Sequence, residues 1–218
     1  MKKYKLTNEC IIIDGRKLYR IEALKDFSDI EKGDKGGFIE REDNLSQLDD
    51  CWVADNAKVY GNAKVHGDAK VCVNARVFDN AEVYGNAVVS GNARVCGNAR
   101  VYEYAVVLGN TRVCDNTEVF DNAVVYDNAK VWGNAIIWGK TEIYGNAEIS
   151  NNSDYIVFKN WWSSGRYFTW TRSNNMWRVG CFYGTGEELI AKAYKDSELS
   201  GREYERVVKY VESILKEE

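Results

Sequence analysis

The sequence predicts a mainly β fold: a parallel coiled strand in the middle of the chain, an N-terminal β-rich cap before it and a small C-terminal α+β domain after it. Three observations carry this. From Val53 to Asp154 a six-residue unit repeats seventeen times without insertion, as in V-Y-G-N-A-K from Val59 and V-F-D-N-A-E from Val77. Ten aromatic residues then fall between Tyr155 and Tyr183. Two segments with helix-capping signatures close the chain.

The first position of each unit is Val or Ile, and the fifth is Ala with Thr111, Thr117, Thr141 and Ser153 as small exceptions. A strict period of six fits neither a helix nor a simple strand, but it fits a coil with three short faces per turn. One large and one small residue per face then fill a thin triangular core. The fourth position is nearly always Asn and the third commonly Gly or Asp, residue types that tolerate the turn conformations a corner every six residues demands.

These hexads resemble the hexapeptide-repeat family, and the resemblance implies a left-handed parallel β-helix. A further stretch, G-G-F-I-E-R-E-D-N-L-S from Gly36, is similar to a phage and prophage group of hexapeptide proteins, as is the C-terminal G-C-F-Y-G-T. For that group the resemblance implies architecture only, with no residue roles to transfer.

Residues 1–52 read as the cap and an imperfect first turn. KYKL, CIIID and LYRIEAL are strands, and Ile39, Leu45 and Cys51 keep a spacing of six. A repeat array needs such a cap because its end turn exposes unpaired backbone and core. Residues 53–154 are the β-helix, and residues 155–218 are a β-β-β-α-α domain. Its strands are YIVFKNWW, RYFTWTR and MWRVGCFYG; its helices are capped by Thr185 with Glu188 and by Ser200 with Glu203. Tyr204, Val207, Val208, Val211 and Leu215 share the packed side of the last helix.

Composition narrows the function. A formal net charge of −4 argues against general nucleic-acid binding. The start MKKYKLTNEC lacks a secretory apolar core and no apolar run is long enough to span a membrane, so a cytoplasmic location is expected, within the host cell if the protein is phage-encoded. Six cysteines without a C-x-x-C pair read as reduced thiols, although Cys96 and Cys114 stack on one face and are placed to oxidise. The absence of proline suits uninterrupted backbone ladders.

Sorting every third hexad assigns the faces. His66, Tyr84, Tyr102, Phe120 and Trp138 at the second position, with Val88, Val106 and Val124 at the sixth, give an apolar face expected to form an oligomer interface or to be covered by a terminal segment. The family resemblance implies a homotrimer. Lys58, Arg76, Arg94, Arg112 and Lys130 form a cationic stripe, of which Arg76, Arg94 and Arg112 are the candidate anion contacts. The third face mixes Lys64, Glu82, Arg100 and Glu118.

Enzyme readings find little support. Family acyltransferases use a histidine base, and the single histidine, His66, reads as a packed or rim residue. One histidine also excludes the three-histidine metal site of the carbonic-anhydrase branch, and no other metal site or cofactor is expected. The sharpest constellation lies in R-Y-F-T-W-T-R, where strand alternation puts Arg166, Phe168, Trp170 and Arg172 on one side. With Arg178, Trp161 and Trp162 it suits a phosphate beside a stacked base. The expected function is an oligomeric protein that captures a small anionic ligand of nucleotide type without turnover, in one version a phage protein sequestering a host defence signal. An acyl-CoA-dependent acyltransferase using His66 and a structural or virion accessory protein are the alternatives.

Overall fold

The computed structural model describes residues 2–216. Strands β1 (Tyr4–Ile13) and β2 (Arg16–Ala23) form an antiparallel hairpin, and β3 (Lys35–Ile39) lies antiparallel to β2. On its other edge β3 pairs in parallel with Lys58–Val59. It therefore converts the antiparallel cap into a parallel solenoid.

Seventeen two-residue strands follow among the described residues, from Trp52–Val53 to Glu148–Ile149. Each but the last three pairs with the strand eighteen residues on, as Val95 with Val113, Val101 with Val119 and Val107 with Val125, giving three parallel sheets. Ile39 pairs with Val59 and Leu45 bridges Val65, both offset by twenty residues, before Val53 pairs with Val71 in the regular register.

The core is the predicted stack of first and fifth positions. Val89, Val95, Val101, Ala87, Ala93 and Ala99 are all fully buried. Each buried Val or Ile is worth roughly 1.5–3 kcal/mol, summed rung by rung because no large globular core exists.

At the corners the third position takes the left-handed conformation, as at Gly97 (φ 69°) and Asp79 (φ 61°). A Cβ on Gly97 would sit 2.7 Å from the Asp115 amide nitrogen, so glycine also lets successive coils approach. The fourth-position asparagines do different work. Asn62, Asn80, Asn98 and Asn116 each donate to the side chain of the asparagine eighteen residues on, up one corner to Asn134, at 2.9–3.2 Å.

The face assignment needs one correction. The corner falls between the second and sixth positions of a hexad, so the sixth position of one unit shares a sheet with the second position of the next. The aromatic ladder therefore lies beside Lys64, Glu82, Arg100 and Glu118, and Tyr102 donates to the Glu118 carboxylate at 2.9 Å. Val88, Val106 and Val124 lie on the adjacent sheet with Leu108 and Tyr126. One cysteine reading also changes: Cys96 and Cys114 are joined by a disulfide, with Cα atoms 4.6 Å apart. Parallel register at identical hexad positions brings them that close.

Candidate functional site

The C-terminal domain has four antiparallel strands where three were expected, Tyr155–Lys159, Tyr167–Thr171, Met176–Val179 and Phe182–Gly184. Gly180 (φ 56°) turns the last predicted strand back on itself as a hairpin. Helices α1 (Gly186–Asp196) and α2 (Glu198–Lys216) follow. Thr185 and Glu188 form the expected capping box. The second cap is Ser197, whose hydroxyl accepts from the Ser200 amide at 3.1 Å, and Ser200 lies inside the helix.

Each sheet face has one occupant. Thr169, Thr171 and Arg178 face the last solenoid coil, where Thr169 and Ser173 hydroxyls accept from the Glu142 and Glu148 amides at 3.2 and 2.7 Å. Arg178 donates to Glu142 at 2.8 Å and lies 4.0 Å over the Tyr144 ring. These contacts satisfy backbone donors that a terminal coil otherwise leaves open. Arg178, expected in the ligand site, docks the domain.

Phe168 and Trp170, also expected at the ligand surface, are 1% exposed and pack against Leu189, Tyr204 and Val208. Strand alternation was read correctly, but the face it defined is the domain core, covered by both helices. Arg172 is partly buried, and its amide donates to the Asp154 carbonyl at 2.8 Å. Trp162 is wedged edge-on against Tyr204, 4.9 Å between centroids, whereas Trp161 is 75% exposed.

Arg166, just before the Tyr167–Thr171 strand, lines a cavity of about 320 Å³. Its walls come from the Asn160–Arg166 loop, the Val179–Phe182 turn and both helices, including Lys192, Asp196, Ser200 and Tyr204. Asn160, 2% exposed, organises the loop. Its side chain accepts from the Ser163 amide at 2.9 Å and donates to the Tyr204 hydroxyl at 3.0 Å, while its own amide donates to the Arg166 carbonyl at 2.7 Å. Gly180 makes room for the guanidinium, since a Cβ there would lie 2.9 Å from the Arg166 Nη1. Burial raises the Tyr204 phenol above its ordinary value, outweighing the hydrogen bond from Asn160 and the nearby Arg166, so it stays protonated at neutral pH.

Two cations, Arg166 and Lys192, and one carboxylate, Asp196, thus line one cavity with Asn160, Ser163, Ser164 and Ser200. That set suits a small oxyanion. Lys192 and Asn160 were not picked out from sequence, and Ser200 was read only as a helix cap. Asn160 and Tyr204 are 44 residues apart, and no local pattern announces a cavity assembled at that distance.

The solenoid residues stand elsewhere. His66, Tyr84, Tyr102 and Phe120 form a continuous stack with 4.9 Å between neighbouring centroids, and Trp138 is 58% exposed. Its ring contact with Tyr84 makes His66 part of that stack. Among the described residues no three potential metal ligands cluster, and no helix is long and apolar enough to cross a membrane.

A search of curated proteins finds no match. A family model described as YdcK Beta solenoid repeat matches residues 75–91 and 93–109, two segments that begin eighteen residues apart and so each span one coil. With the parallel sheets, this establishes a repeat β-solenoid protein.

Proposed function

We propose that this protein captures a small anionic ligand, of nucleotide type, in the C-terminal cavity and does so without turnover. The observation that carries the reading is a cavity lined by two cations, Arg166 and Lys192, against a single carboxylate, Asp196, with hydroxyl and amide groups among the rest of its wall. A phosphate would be held between the two cations, Arg166 offering a two-pronged fork and Lys192 a point charge. The open ring of Trp161, on the same loop, offers a surface for a base, where stacking is worth roughly 1–3 kcal/mol.

The assembly is a homotrimer in this reading. Phe27 packs on Trp52 at one end of the valine sheet and Tyr183 on Tyr144 at the other, leaving Val88, Val106, Val124 and Leu108 between them for a neighbouring subunit. The phage-group resemblance supports a role in sequestering a host nucleotide signal, by analogy of architecture.

A thermal-shift panel of cyclic dinucleotides, ADP-ribose, NAD and acetyl-CoA tests the reading. A ligand at a hundred times its dissociation constant adds about 2.7 kcal/mol of apparent stability. A nucleotide-induced shift lost in both Arg166→Ala and Lys192→Ala supports capture in the cavity. A shift with acetyl-CoA alone, dependent on His66, would replace this reading with acyl transfer.

A further inference from the structure

The cationic stripe was legible in sequence, but its electrostatic state was not. Strand register stacks Lys58, Arg76, Arg94, Arg112 and Lys130 directly on one another. Rungs lie about 4.8 Å apart, so the five side chains span roughly 19 Å along the solenoid axis. Like charges at that spacing repel, and repulsion grows where the protein replaces water.

The same solenoid supplies its own control. On the aromatic sheet, the same hexad position pairs Lys64 with Glu82 and Arg100 with Glu118 in the same register, and the Arg100–Glu118 pair closes as a salt bridge. The coil therefore does not require like charges in a column. Of the five stripe residues, only Lys130 at one end is in an ion pair among the described residues, with Glu148 at 2.8 Å.

The nearest corner carboxylates are already engaged. Asp79 accepts from the Gly97 amide at 3.1 Å and Asp115 from the Gly133 amide at 3.0 Å. Burial, followed by the charges of Arg76 and Arg20, holds Lys58 below the usual lysine range. Arg94 and Arg112 are exposed. Beside them a depression of about 530 Å³ is lined by Arg112, Lys130, Trp132, the disulfide and the carboxylates of Asp115 and Glu148.

We propose that this face binds a linear phosphate polyanion laid along the solenoid axis, with Arg76, Arg94 and Arg112 contacting successive phosphates. Guanidinium forks match phosphate oxygens in pairs, and a column of them favours a chain over a single ion. Inorganic polyphosphate and a single-stranded nucleic acid share this chemistry. The site is separate from the C-terminal cavity and does not rest on its function.

The test is fluorescence anisotropy of the full chain with labelled inorganic polyphosphate, labelled oligothymidylate and labelled heparin, across a salt series. Binding of either phosphate chain is expected, with a slope of log affinity against log salt near −2 if three phosphates are neutralised. The combined Arg76→Gln, Arg94→Gln and Arg112→Gln variant should lose at least tenfold in affinity and most of that slope. Its melting temperature should equal or exceed that of the parent, since repulsion is removed, which separates lost binding from unfolding. Preference for polyphosphate or for oligothymidylate assigns the source. Unchanged binding in the variant, loss of binding in Arg166→Ala instead, no binding at low salt, or equal affinity for heparin would each overturn the proposal.

Discussion

Val73 occupies a third-position corner with φ 64°, where its neighbours in the repeat are Gly or Asp. A β-branched residue in the left-handed region is strained by roughly 1–2 kcal/mol. Replacing it with asparagine, Val73→Asn, is expected to raise stability by about 1 kcal/mol, measured by urea unfolding; a loss would mean the side chain makes contacts worth more than its strain. Lys3 is the opposite case. It is fully buried, and its ammonium donates to the Asp49 and Cys51 carbonyls at 2.7 and 2.9 Å, fixing the chain where the cap meets the first coil. Lys3→Met should cost about 1–3 kcal/mol by leaving those carbonyls without their donor. Neither residue stood out in sequence. A single lysine near the start looks like a solvated charge, and only the 46 residues of chain that return to Asp49 make it a core donor.

At the scale of elements, legibility followed locality. The hexad pattern announced the coil, its inward residues and its rungs, because each rung is dictated by residues within one short unit. The capping box at Thr185 was readable for the same reason. Face assignment failed where it depended on the corner falling between the second and sixth positions. The ligand face of the Tyr167–Thr171 strand failed because alternation says which residues share a side and not what covers that side. The corrected helix cap gives a test: Ser197→Ala should destabilise by about 1 kcal/mol, whereas Ser200→Ala, already inside α2, should cost less. Equal losses in a thermal melt would return the cap to Ser200.

For the whole molecule, both open ends of the solenoid are closed by other structure, β1–β3 at one end and the four-stranded sheet at the other. Several of the closing contacts are buried phenols. Tyr155 donates to the Ile136 carbonyl at 2.7 Å, and burial pushes its phenol from 10.0 up to about 12. A folded-state value above the unfolded one adds stability that is complete below the unfolded pKa and lost as pH rises through the folded one. Stability should therefore hold to about pH 10 and fall between pH 10 and 12, with a smaller fall in Tyr155→Phe. An identical alkaline profile in that variant would remove Tyr155 from the explanation. The central claim, capture without turnover, is tested most directly by incubating the protein with the nucleotides of the thermal-shift panel, removing free ligand, denaturing the complex and identifying what is released by mass spectrometry. The account predicts an unchanged nucleotide retained by the parent and absent from Arg166→Ala. A chemically altered product, or equal retention by the variant, would contradict it.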